Sequence, residues 1–97
     1  MAIFGDSARL EALCRQFRVR KLSLFGWRLK GLARPDSDID LLVEFEPGAE
    51  PGLFGLSQLE IDLSELAGAK VDLRTAQDLS RYFRDEVVRT AVPQYAA

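Results

Sequence analysis

"LFGWRLKGLARPDSDIDLLVEF", residues 24–45, is the stretch whose reading decides the fold. Its second half sets Asp38 and Asp40 among Ile39, Leu41, Leu42 and Val43, a run with the composition of a buried strand. Side chains two apart on a strand project to the same face, so the two carboxylates stand together while Ile39 and Leu41 face the other way. Asp is depleted in strands, and an ionised carboxylate taken out of water without a partner shifts its pKa or finds a cation. No Lys or Arg lies within residues 38–45 to serve as that cation. Hard oxygen donors of this kind suit Mg²⁺ or Mn²⁺, with phosphate oxygens completing the shell. On spacing alone the pair reads equally as loop and capping residues at an exposed strand start. An EF-hand is excluded, because Leu41 and Pro47 stand where that loop needs glycine and glutamate.

Upstream, Val19–Phe25 reads as a strand with Leu22 and Leu24 on one side and Lys21, Ser23 and Phe25 on the other, closed by Gly26. Gly26 with Arg28 and Lys30 behind it fits a turn whose N–H groups face an anion, and also a plain strand-ending glycine with solvated cations. Residues 31–37 are loop-like, and residues 38–45 form the second strand. Further out, Asp6 caps a helix whose stripe is Leu10, Leu13, Cys14 and Phe17. "PGAEPG" at 47–52 breaks the chain, and Leu56, Leu59, Leu63 and Leu66 mark a helix face that stops at Gly68. Residues 69–73 make a third strand holding Asp72. A last helix is predicted over roughly 78–91, with Leu79, Phe83 and Val87 inward and Pro93 beyond its end. Were the second and third strands neighbours, Asp72 would join Asp38 and Asp40. Three convergent carboxylates can hold two metal ions across an in-line phosphoryl or nucleotidyl displacement, and Asp72 can take the proton of an attacking hydroxyl.

At 97 residues the chain is expected to be a single domain, 1–97, without room for a second core. Thirteen basic against 15 acidic residues give a net charge of -2, so nucleic acid is not expected as the main partner. With no histidine and one cysteine, zinc sites and histidine triads are excluded, and any metal or acid-base chemistry falls to carboxylates. No apolar run approaches membrane-spanning length, and the cysteine usage and N-terminus point to a reducing cytoplasm.

The run from Leu22 to Phe45 resembles the signature of the minimal nucleotidyltransferases of the DNA polymerase β superfamily: a glycine-serine pair, ten intervening residues, then Asp-x-Asp. Gly26 matches, Trp27 stands at the serine position, and Asp38 and Asp40 fall in register. Arg28, Gly31, "PDSDID" at 35–40, "FEPG" at 45–48 and "KVDL" at 70–73 extend the likeness over nearly the whole chain. The resemblance implies an α+β fold, a small mixed β-sheet flanked by helices, with Asp38, Asp40 and Asp72 as the metal-binding triad for two Mg²⁺ ions or Mn²⁺. Gly26, Trp27, Arg28 and Lys30 would then face the nucleotide. It further implies an antitoxin that transfers AMP from ATP to a tyrosine of a HEPN-type toxin and assembles with it. The serine that Trp27 replaces would bond the triphosphate, an interaction with a charged group worth roughly 1.5–3 kcal/mol. Trp27 therefore predicts weakened activity and favours a plug or partner contact, the alternative being an inactive antitoxin that neutralises by binding alone.

Overall fold

The computed structural model describes residues 3–26, 38–82 and 84–97. Trp27, Arg28 and Lys30, three of the expected nucleotide-facing residues, lie outside the described residues, as does Phe83.

Helix α1 spans Ser7–Gln16, and the Asp6 carboxylate caps it by accepting the Arg9 N–H at 3.0 Å. Such a bond satisfies one of the orphan donors of the first turn. Leu10 and Cys14 are buried, with Leu13 and Phe17 packed beside them. The chain turns at Phe17 and at Arg18, whose φ is +56°, and enters strand β1, Val19–Phe25. Strand β2, Ile39–Phe45, pairs with β1 antiparallel and sets Phe25 opposite Asp40. Helix α2, Leu53–Ala67, begins after the proline-glycine segment and buries Leu59 and Leu63. It ends at Gly68, whose φ of +71° is open to glycine and whose N–H donates to the Ser64 carbonyl.

The crossover through α2 delivers β3, Val71–Arg74, parallel to β2, as a parallel pair requires. Beyond β3 the expected long helix is replaced by a 3₁₀ turn at Ala76–Asp78, the short helix α3 at Arg84–Thr90, and strand β4 at Val92–Ala96. Thr75 and Asp78 bond each other reciprocally around that turn, with the Thr75 N–H donating to Asp78 Oδ2 at 3.0 Å, and the backbone then runs extended at Leu79, whose carbonyl accepts from the Arg84 guanidinium. Strand β4 occupies the residues beyond the expected end of the last helix. It pairs antiparallel with β1 on the sheet edge, where the missing N–H of Pro93 is tolerated, and it turns Tyr95 against the core.

The mixed sheet therefore has the order β3-β2-β1-β4. Leu22, Leu24, Leu41, Val43, Val71 and Leu73 point from its strands into one core with the helix residues Leu10, Cys14, Leu59 and Leu63. On the opposite face the alternation places Ser23, Asp40, Leu42, Asp72 and Arg74. Among the described residues no helix is long and apolar enough to cross a membrane.

Candidate active site

Parallel register sets Asp40 directly beside Asp72, since Ile39 pairs with Val71, Asp40 with Asp72 and Leu41 with Leu73. The neighbouring pairs both face the core, so the alternation puts both aspartates on the sheet's other face. The position of β3 is fixed from its free edge. The Val71 N–H donates to Ser64 Oγ at 2.9 Å and the Leu73 N–H to Glu60 Oε2 at 2.8 Å, so two side chains of α2 satisfy the donors on either side of Asp72. The Lys70 carbonyl accepts the Ile39 N–H at 2.8 Å, tying the start of β2 to the entry of β3.

Gly26 closes the site from the β1 side. Its φ is +85°, and a Cβ built there would collide with Asp40 Oδ2 and stand 3.0 Å from the carboxyl carbon. No residue but glycine combines that backbone conformation with room for the carboxylate. The glycine turn and the acidic pair are thus parts of one site, the Asp40 carboxylate lying against the Gly26 backbone.

The electrostatics follow from this crowding. Burial pushes the Asp40 carboxyl above its ordinary range, the neighbouring charges of Asp72 and Asp38 push it the same way, and Arg74 offsets part of the rise. A half-buried carboxylate between two others favours either a proton or a cation. The chain supplies cations to the outer two. Arg74 donates to Asp72 Oδ2 at 3.1 Å, and Lys70 Nζ lies 3.7 Å from Asp38 Oδ2.

Asp38, Asp40 and Asp72 thus share one neighbourhood, although no group of three acidic side chains among the described residues is closed into a ready metal cage. Each outer carboxylate has a cation of the chain beside it, which offsets part of the mutual repulsion. The donors fit a divalent cation chemically, being hard carboxylate oxygens around a site with unmet negative charge. Sequence reasoning missed Arg74 and Lys70, because it sought counter-ions only within residues 38–45. The β2–β3 register is the signal that brings them in.

The profile of the nucleotidyltransferase domain matches residues 8–93. The chain belongs to the nucleotidyltransferase domain family. The match takes in both strands of the acidic pair, the Gly26 turn and the core helices α1 and α2. A curated relative, the protein adenylyltransferase MntA of Thermococcus cleftensis, is 36% identical over 86 residues, covering 89% of this chain and 85% of that one. A solved structure described as a candidate minimal nucleotidyltransferase superposes with a TM-score of 0.72 at 35% identity, over 96% of each chain. The nucleotidyltransferase fold also appears in a toxin-antitoxin structure with AMP-PNP, with a TM-score of 0.72 at 20% identity, over 95% of this chain and 74% of that one. At that identity the likeness is one of fold alone.

Proposed function

We infer that this nucleotidyltransferase domain transfers AMP from ATP to a hydroxyl, a tyrosine of a HEPN-type toxin partner, and acts as that toxin's antitoxin. The observation that carries the reading is the pairing of Asp40 with Asp72 beside the Gly26 turn, a half-buried acidic pair that no core or loop role requires. The 36% identity to an MntA protein adenylyltransferase supports AMP as the transferred group and a protein as the acceptor.

In this reading Asp38, Asp40 and Asp72 would hold Mg²⁺, two ions or Mn²⁺ in its place. The metal would supply positive charge to the attacking and leaving oxygens. The residues of the chain do the rest. The Gly26 backbone approaches the phosphates closely because it carries no side chain. Asp72 takes the proton as the acceptor oxygen bonds to the α-phosphorus of ATP and the bond to the β-phosphate oxygen breaks, releasing pyrophosphate. Presentation of the acceptor hydroxyl falls to the partner.

Trp27 tunes this activity. At the position of the phosphate-binding serine of the resemblance it removes a hydroxyl and adds an indole, so transfer is slow in this chain and faster in Trp27→Ser. The test is incubation with α-labelled ATP, Mg²⁺ and the toxin partner. Label on the toxin, stronger with Trp27→Ser, is the expected result. No label with either protein overturns the enzymatic reading and leaves neutralisation by binding, which would survive Asp38→Ala and Asp40→Ala.

A further inference from the structure

The geometry points to Arg74 as an internal counter-ion that holds Asp72 while the site is empty of nucleotide and passes to the nucleotide's phosphates when metal takes the carboxylate. The inference rests on the metal-site reading above.

Arg74 follows Asp72 by two residues on β3, so both side chains lie on the acidic face, and Arg74 pairs across the sheet with Leu42 as Asp72 pairs with Asp40. Its guanidinium donates to Asp72 Oδ2 at 3.1 Å, and its charge reaches Asp40, where it opposes the rise caused by burial and by Asp72 and Asp38. It therefore acts on two of the three carboxylates. The pair at Asp38 is weaker, being 3.7 Å apart between side chains 76% and 47% exposed, against 50% and 31% for Arg74 and Asp72. Solvent screens the former more, so Arg74 is the counter-charge of greater weight.

A divalent ion on Asp72 meets the guanidinium as a like charge at close range, so metal alone binds against Arg74. Metal arriving with a nucleotide brings phosphate oxygens, for which a guanidinium is a well-matched, two-pronged donor. Arg74 can then leave Asp72 without losing a partner. One residue would thus weaken the site for bare metal and strengthen it for the metal-nucleotide complex, coupling the two ligands.

The opposite signs distinguish this role from a structural one. In Arg74→Met, which keeps the length of the side chain without its charge, Mn²⁺ alone should bind about three- to fivefold tighter, as loss of a partly exposed ion pair implies. Mg²⁺ with AMP-PNP should bind about tenfold weaker through loss of a charged phosphate contact. Arg74→Lys should fall between. Calorimetric titration of each probe into the full chain reads both affinities, with melting curves to establish folding, and Arg74→Gln serves where Arg74→Met does not fold. Unchanged or weaker Mn²⁺ binding in the folded variant overturns the counter-ion role, and unchanged nucleotide affinity overturns the handover. If neither the parent nor the variant binds Mn²⁺, the metal-site reading itself fails, and the inference fails with it.

Discussion

The two faces of strands β2 and β3 come from alternating residues of the same short segments and are under opposite physical demands. Toward the helices, Ile39, Leu41, Val43, Val71 and Leu73 are each 3% exposed or less and close the core. Toward the other side, Asp40 and Asp72 sit side by side, and burial works against them. The apolar face stabilises the sheet, and the acidic face draws on that stability to hold like charges together. Substitutions of the core-facing residues should therefore lower stability, and those of Asp40 and Asp72 should lower activity while leaving stability intact or raised.

The largest separation is expected between Asp40→Ala and Leu41→Ala, adjacent residues on opposite faces. Asp40→Ala should reduce AMP transfer by at least about a hundredfold, the scale of a disrupted metal site, with its melting transition retained. Leu41→Ala should cost about 2–5 kcal/mol in a denaturant titration, the range for a buried leucine cut to alanine. Equal loss of stability in both would mean that the faces are not independent. Gly26→Ala links them. Its positive φ alone costs roughly 1–2 kcal/mol, and the added methyl drives the Asp40 carboxylate from its seat, so stability and activity should fall together.

Smaller, and of the opposite sign, is the effect of Asp40→Asn on stability without metal. Because burial and the neighbouring carboxylates raise the Asp40 pKa above its ordinary value of 3.8 in the folded state, that state keeps the proton longer than the unfolded chain does. Stability is therefore lost as pH rises from 3.8 through the raised value. Asp40→Asn should melt higher than the parent at neutral pH in a chelator, and the gap should close in acid below the unfolded pKa. A gap of constant size across pH would remove the ionisation argument. The smallest expected signal is at Cys14. Its thiol is fully buried, and burial pushes its pKa up to about 12, so a thiol reagent at neutral pH should modify it only as fast as the protein opens. Rapid modification in native buffer would contradict the packing of α1 on the sheet.

Much of the apolar face was legible in the sequence, because its signals are local. The bounds of β1, the Asp6 cap, the leucine spacing of α2 and the stop at Gly68 each depend on residues within one or two turns of the chain. The acidic face was legible only in part. Asp38, Asp40 and Gly26 announce themselves by spacing, but the adjacency of Asp72 and the arrival of Arg74 and Lys70 depend on the parallel pairing of β3, set across an intervening helix. Strand β4 was missed for a similar reason. Pro93 reads as a breaker along the chain, while its place on a sheet edge is a property of the tertiary pairing with β1. The last helix is interrupted at Leu79, and helical spacing alone does not register its extended backbone or the bond its carbonyl accepts from the Arg84 guanidinium.

The central claim is that the acidic face of β2 and β3, with Gly26, is a metal-dependent nucleotide site. Calorimetry of AMP-PNP binding tests it most directly, in Mg²⁺ and in chelator, on the parent chain and on folded Asp40→Ala. Binding in Mg²⁺ that disappears in chelator and in Asp40→Ala is the predicted result. Binding of equal strength in all of these conditions would place the nucleotide elsewhere and contradict the account.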